Sequence, residues 1–292
     1  MKPKNNINRK TSKLYQFYIN DSLRNKTEYH HKSNKISPTK YNIITFLPKS
    51  LILQFIRPAN IYFLFCAILQ CIPVISPLGS ASALIPLSVV ILASIIREGI
   101  EDCKRASLDK KQNNEPTGVY LNNQWKDTIS CKLNVGEIVE VEQNETFPAD
   151  LILIDSDLEG GICYIETGTL DGEKNLKLKE SPKQTAGKFL MEDGEKIEKF
   201  EISGNVVTDL PNPELYRLNG KMHLVLKTNK TNDIETYDIP LDAKQLLLKG
   251  AKLRNTGWII GIVIYSGHNC KLMKNAKNPV SKYSSVESLM NK

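Results

Sequence analysis

The sequence predicts an α+β membrane protein: a two-helix transmembrane hairpin with a helical stalk, followed by an all-β domain. Two observations predict the hairpin. No Asp, Glu, Lys or Arg occurs between Arg57 and Arg97, a gap far too long for the core helix of a soluble domain. Pro73, Ser76, Pro77, Gly79 and Ser80 crowd its middle and divide it with a turn. The third observation predicts the β domain: from about Glu115 the chain changes to short β-branched and aromatic runs separated by turn residues. Mean hydropathy of −0.30 and 24% charged residues would suit a soluble protein, but that average conceals the local concentration of apolar residues.

Residues 1–40 are rich in Lys, Asn and Ser and are expected to be a disordered basic tail. Before residue 50 there are eleven Lys and Arg against two acids, Asp21 and Glu28. Such a cluster suits the cytosolic side and an anionic lipid surface, or is a basic tail with no specific partner. Asn25-Lys-Thr27 matches a glycosylation sequon, accidental if the tail is cytosolic. Residues 41–57 read as an interfacial segment, with Phe46, Leu47, Leu51 and Phe55 towards lipid and Lys49 and Arg57 towards headgroups; a plain linker into the span is the other reading.

Residues 58–113 read as hairpin and stalk. The first span starts at Pro58 and runs to about Ser76, with Tyr62 and Phe63 at the near interface. The second runs from about Ala81 to Ile96. Both ends of a hairpin lie on one side, and Arg57, Arg97, Lys104 and Arg105 assign that side to the cytosol. Asn60 and Gln70 are amides in the first span; such groups mark a helix contact or a pathway, or Gln70 simply reaches the far interface. Residues 98–113 continue as a charged helix, with Glu101 and Arg105 as i,i+4 partners.

The β domain is expected over 114–275. Val119–Leu121, a turn at Asn122-Asn123 and the run from Trp125 read as a hairpin. Glu137–Glu142 alternates with period two, and Leu151–Ile154 reads as a strand buried on both faces. Residues 181–245 are polar with weaker strands such as Met222–Lys227, before Leu246–Leu248 and Trp258–Tyr265 close the domain.

The stretch Cys163-Tyr-Ile-Glu-Thr-Gly-Thr-Leu-Asp-Gly-Glu-Lys-Asn-Leu-Lys177 carries the candidate chemistry. Ile162–Thr167 reads as a strand that stops at Asp171-Gly172, a pair suited to a tight turn. Glu173 then sits at a loop tip beside Lys174 and Lys177, where a carboxylate can position or deprotonate a water. A solvated hairpin tip is the bland reading of the same residues. Cys66, Cys71, Cys103, Cys131, Cys163 and Cys270 form no CxxC pair, so no metal site and a reduced, cytosol-facing protein are expected. No zinc spacing, aromatic RNA-binding motif or helix-turn-helix pattern points to nucleic acid.

With Pro148-Ala-Asp-Leu-Ile-Leu153 upstream, that stretch resembles the actuator domain of the type IV P-type ATPases, the phospholipid flippases. The resemblance extends from about Tyr41 to the last residue. It includes Gln54-Phe-Ile-Arg-Pro-Ala-Asn-Ile-Tyr-Phe63, Glu98-Gly-Ile-Glu-Asp-Cys-Lys-Arg105, Leu248-Lys-Gly-Ala-Lys-Leu-Arg-Asn-Thr256, Gly267-His-Asn269 and Lys271-Leu-Met273. It implies a distorted jelly-roll-like β fold over 114–275 and a linker over 276–292 towards a third transmembrane helix. It implies that Glu173 activates water for hydrolysis of an aspartyl-phosphate, that Gly172 lets the backbone approach, and that Asp171 shapes the turn. Lys174 departs from the family's usual Thr. Asn60, Gln70 and Cys71 fall on the implied lipid path; where serine-lipid flippases often carry two Gln, this chain has Gln70-Cys71.

The resemblance further implies ATP and magnesium as cofactors of the complete enzyme, with none bound by this chain, which lacks the family's Asp-Lys-Thr-Gly-Thr motif. The implied partners are membrane phospholipid and an accessory glycoprotein subunit, at the plasma membrane or in Golgi and endosomal membranes. Alone, this stretch of chain is expected to hydrolyse no ATP. A cation pump is disfavoured, since those carry Thr-Gly-Glu-Ser at the turn. The remaining alternative is a non-catalytic, membrane-anchored β module that binds or regulates partners.

Overall fold

The computed structural model describes residues 14–31, 33–36, 43–56, 58–70, 72, 81–121, 124–189, 200–228 and 233–276. The chain divides into two units, one of Met1–Ile36 with Gln112–Asn278 and one of Ser37–Lys111 with Pro279–Lys292.

The first unit begins inside the tail that composition marks as disordered. Strand β1 (Tyr15–Tyr18) pairs antiparallel with residues 205–208, from Tyr15 opposite Thr208 to Tyr18 opposite Asn205. Helix α1 (Ser22–Glu28) follows, its Asp21 side chain accepting the Arg24 N–H at 3.0 Å, a standard N-cap. The expectation of disorder over 1–40 therefore fails at residues 14–31 and 33–36. Tyr15, Phe17 and Ile19 alternate on one face and are buried, a period-two signal too short to lift the segment's average. Asn25 is buried as well: its Oδ1 accepts the Tyr18 N–H (2.8 Å), and its Nδ2 donates to the carbonyls of Tyr18 (2.7 Å) and Val135 (2.9 Å). A sequon asparagine bound in this way offers no free amide to a glycan.

The second unit holds α2 (Ile43–Phe55), α3 (Pro58–Gln70) and all but the last two residues of α4 (Ala81–Asn113). Leu47 and Leu51 of α2 are exposed, as the interfacial reading expects, and Phe55 is half-buried. Phe46 departs from that reading: its ring lies 3.3 Å from where a Cβ on Gly99 would stand. The cause is spacing. Phe46, Ser50 and Gln54 follow one another at i+4 on one helix face; Ser50 and Gln54 are buried, and the Ser50 hydroxyl donates to Glu98 Oε2 at 2.7 Å. Arg57 lies outside the described residues. Helix α4 is continuous through Ile96–Glu98, so the residues read as second span and stalk lie in one helix of 33 residues, about 50 Å long at ~1.5 Å per residue. Glu101 pairs with Arg105 (3.8 Å) and also with Arg97 (3.3 Å). Among the described residues no single helix is long and apolar enough to cross a membrane; Thr45–Phe55 and Pro58–Gln70 pass together, across a bend of 89°. The turn expected at 73–80 lies outside the described residues.

The first unit resumes with strands β2 (Pro116–Leu121), β3 (Gln124–Ile129), β4 (Ile138–Glu142), β5 (Asp150–Ser156) and β6 (Ile162–Glu166). A one-turn helix, α5 (Gly168–Asp171), precedes β7 (Lys177–Glu180), β8 (Phe200–Thr208), β9 (Gly220–Thr228) and β10 (Ile234–Leu241). Strands β11 (Leu246–Leu247), β12 (Lys252–Arg254), β13 (Trp258–Tyr265) and helix α6 (Lys271–Asn275) complete it. Three antiparallel sheets result, in the orders β11-β5-β13-β4-β2-β3, β1-β8-β9-β10 and β12-β6-β7.

Side-chain alternation divides the core in two. Ile152 and Ile154 of β5, Ile138 of β4, and Ile260, Ile262 and Ile264 of β13 pack with Phe17, Val206, Leu224 and Ile239 of the four-stranded sheet. Leu151, Leu153, Val139, Val141, Ile259 and Val263 point the other way, onto Cys163, Ile165 and Leu253 of the three-stranded sheet. The six-stranded sheet is thus covered on both faces, and β5 is buried at every residue, as its unbroken apolar run predicts. Strands β8, β9 and β10 are longer than the weak character of 181–245 suggests. They are apolar on one face only (Ile202 and Val206; Met222, Leu224 and Leu226; Ile239 and Leu241), and averaging over both faces hides them.

Motifs far apart in sequence meet at Asp150, which is fully buried. Its Oδ1 accepts the Lys249 backbone N–H at 2.8 Å and its Oδ2 that of Lys271 at 2.6 Å. Burial pushes its carboxyl up to about 6, opposed by these two N–H groups and by the Lys271 and Lys249 charges. Beside it Asn34, also buried, donates to Ser130 O (3.0 Å) and Pro148 O (2.8 Å). The Asn34 Oδ1 accepts from Gly267 N–H (2.9 Å) and from the Lys249 ammonium (3.2 Å). Gly267 has φ of +55°, and a Cβ there would stand 2.9 Å from Ser33 O; only glycine fits.

Candidate functional site

The loop between β6 and β7 carries the candidate chemistry. After β6 ends at Glu166, α5 makes one turn, and Gly172 ends it in the left-handed conformation (φ 79°, ψ 0°), its N–H donating to Gly168 O at 3.1 Å. The tight turn read at Asp171-Gly172 is therefore a helix C-terminus with a glycine cap. A Cβ at Gly172 would meet nothing within 4 Å, so within this chain glycine is needed there for its φ and not for space. Gly172→Ala is accordingly expected to cost about 1 kcal/mol of stability through backbone strain alone, and Gly172→Asn less, both measurable by urea unfolding; equal stability of all three would overturn the left-handed assignment.

Asp171 organises the turn from inside. Its carboxylate accepts from Thr167 Oγ1 (3.1 and 3.0 Å), from the Glu173 backbone N–H (2.9 Å), from Lys177 Nζ (2.5 Å) and from the Tyr216 hydroxyl. The bonds from Lys177 and then Tyr216 hold its carboxyl well below the usual carboxylate range. Lys177 also reaches Glu173 Oε2 at 2.8 Å and the Tyr216 hydroxyl at 2.8 Å. Burial works against the Lys177 charge, but bonds to Asp171, Glu173 and Tyr216 outweigh it and keep the ammonium protonated well above its ordinary range.

Glu173 follows the cap with its side chain 61% exposed. Lys177 engages Oε2, and Oε1 has no bonded partner among the described residues. The arrangement is a carboxylate presented to an incoming group, with its backbone N–H fixed by Asp171 and one oxygen steadied by an ammonium. It is organised more than a plain hairpin tip requires. Lys174 beside it is exposed.

Asp171, Gly172 and Glu173, consecutive in the chain, all lie in this turn. Asn60, proposed for a lipid path, is 5% exposed and donates from Nδ2 to Gln54 O at 2.8 Å, where it closes the break between α2 and α3. Gln70 is half-buried at the last residue of α3, and Cys71 lies outside the described residues. Sequence reasoning missed Tyr216. It lies 45 residues from Asp171, in the β8–β9 connection, and no local pattern links the two. Thr167 was in view as part of the motif, but its bond to Asp171 was not. Among the described residues no group of three or more His, Cys, Asp or Glu side chains is placed to hold a metal ion.

Comparison with known proteins bears on the whole chain. The family described as Phospholipid-translocating ATPase N-terminal matches residues 17–84. The phospholipid-transporting ATPase DRS2 of Saccharomyces cerevisiae is 40% identical over 282 residues, covering 94% of this chain and 19% of that protein. The phospholipid-transporting ATPase C887.12 of Schizosaccharomyces pombe is 39% identical over 281 residues, covering 94% and 21%. The probable phospholipid-transporting ATPase 5 of Arabidopsis thaliana is 39% identical over 274 residues, covering 92% and 21%. The chain spans about a fifth of the length of these relatives. In sequence it belongs with the type IV P-type ATPases, as an N-terminal portion of such a protein.

Proposed function

We propose that this chain is the N-terminal part of an ATP-driven phospholipid flippase, one that moves aminophospholipid to the cytosolic leaflet, and that its β unit is the actuator domain. The presentation of Glu173 carries the reading: an exposed carboxylate on a glycine-capped turn that Asp171, Thr167, Lys177 and Tyr216 hold rigid.

In this reading the turn docks on an aspartyl-phosphate formed in a part of the pump outside this chain. Glu173 orients a water in line with phosphorus and takes its proton. The water oxygen bonds to phosphorus, the bond from phosphorus to the aspartate oxygen breaks, and the aspartate leaves as carboxylate. Such a role needs geometry before an altered acidity. Gly172 allows the close approach, and Asp171 fixes the Glu173 backbone. ATP and magnesium act in the complete enzyme at the phosphorylation step, which needs regions beyond this chain.

Residues 58–76 and 81–96 would cross the membrane as a hairpin, with Asn60, Gln70 and Cys71 along the lipid path and α4 leading out as the stalk. The N-terminus and the β unit would be cytosolic, with the basic residues before 50 against anionic headgroups. A distorted jelly-roll-like description of the β unit, an accessory glycoprotein partner, and residence in plasma, Golgi or endosomal membrane belong to the same reading.

The test is Glu173→Gln in the complete pump. Gln keeps the size but cannot accept the proton, so phosphoenzyme formed from ATP is expected to accumulate and decay about 100-fold more slowly. Decay at the parent rate would overturn the assignment.

A further inference from the structure

Tyr216 is 45% exposed, an aromatic ring on the surface that fills no core. It stands in the connection between β8 and β9, whose ends are tied together: Asp209 N–H donates to Asn219 O at 3.1 Å, and Asn219 Nδ2 to Asp209 Oδ2 at 3.1 Å. Buried groups brace this loop from below. The Lys271 ammonium donates to Asn212 Oδ1 (2.7 Å) and Glu214 O (2.9 Å), the Tyr265 hydroxyl donates to Asp209 O (2.7 Å), and Leu218 is buried. The loop is therefore a fixed arm, and Tyr216 is what it presents to the turn.

Three contacts leave Tyr216 among the described residues, and all end at Asp171 or Lys177. Its hydroxyl donates to Asp171 Oδ2 and accepts from Lys177 Nζ at 2.8 Å. Its ring lies under the same ammonium, 4.2 Å from centroid to Nζ, within the range of a cation–π contact. Asp171 in turn holds the Glu173 backbone N–H, and Lys177 holds the Glu173 carboxylate. Each hold on Glu173 that the structure records thus passes through a residue that Tyr216 touches.

We infer that Tyr216 is a positioning residue for hydrolysis at the turn: through Asp171 and Lys177 it fixes the direction in which Glu173 points. This rests on the reading of Glu173 as the water-activating group. A hydrogen bond to a charged partner is among the stronger ones, and catalysis loses steeply when a reacting group is slightly misplaced.

The experiment follows phosphoenzyme decay in the complete pump for Tyr216→Phe, Tyr216→Leu, Asp171→Asn, Glu173→Gln and the double variant Tyr216→Phe with Asp171→Asn. Tyr216→Phe is expected to slow decay about tenfold. Tyr216→Leu, which also loses the ring under Lys177, is expected to slow it further, so that Phe is a partial rescue of Leu. In the Asp171→Asn background, Tyr216→Phe is expected to slow decay less than about twofold, because its partner is already altered. A general loosening of the fold would instead slow both backgrounds alike, and that result overturns the inference. Parent-like decay in Tyr216→Phe with slow decay in Glu173→Gln overturns the role of Tyr216 and leaves that of Glu173. Parent-like decay in Glu173→Gln overturns both.

Discussion

Asp150→Ala is expected to destabilise the β unit by about 3–5 kcal/mol, the usual cost of leaving a buried charge without its partner. The carboxylate is fully buried and accepts the backbone N–H groups of Lys249 and Lys271. Alanine leaves both donors unpaired in the interior and removes the anion facing two buried ammonium groups, whose charges burial already disfavours. Against a typical total of about 5–15 kcal/mol, such a loss is a large share. Urea unfolding of the 292-residue chain measures it, and a midpoint equal to the parent's would show that the contacts at Asp150 do not hold the segments together.

The pH dependence of that loss has a defined sign. Burial raises the folded-state carboxyl from 3.8 to about 6. Between these values the folded protein keeps a proton that the unfolded chain has released, so this group's contribution to stability falls as pH rises through the window. The difference between parent and Asp150→Ala is therefore expected to narrow from about pH 4 to about pH 6 and to level off above.

Phe17→Ala is expected to cost about 3–5 kcal/mol. Phe17 is fully buried between the four- and six-stranded sheets, where truncation leaves a cavity that a β-sheet core cannot collapse to fill. Leu14→Ala, three residues away and 62% exposed, is expected to change stability by less than about 0.5 kcal/mol. A tail that did not dock would give two indistinguishable variants, so the pair of unfolding midpoints decides whether β1 belongs to the fold.

What was legible in the sequence follows from the range of the forces involved. Strand β5 is built on the apolar run Leu151–Ile154, β13 is apolar throughout, and β2 with β3 is a local hairpin; each announces itself over a short stretch of chain. Gly172 was legible as a change of chain direction for the same reason, although the sequence reads it as a tight turn and the structure makes it a helix cap. Phe46 was misread because its outward assignment used only its apolar character, whereas Ser50 and Gln54 on the same face turn that face inward. Strand β1 was missed because its three apolar residues gain their value from Val206 and Leu224, far along the chain. Tyr216 was missed for the same reason in polar form: a tyrosine in a polar loop looks ordinary until Asp171 is brought beneath it.

The pairing of β1 with β8 also has a bearing on how the protein is made. A ribosome releases Tyr15, Phe17 and Ile19 long before Asn205–Thr208 exists to receive them. In the interval the apolar residues 58–96 emerge, so the nascent chain carries an unpaired strand while its most apolar stretch is being synthesised. Closing such a distant pair is slow in comparison with local hairpins, and an unpaired apolar edge is prone to stray association. Strand β1, synthesised before β2 to β13, is thus among the last of them to find its place, and chaperone demand during translation should fall when residues 14–19 are made polar, even as the finished fold is weakened.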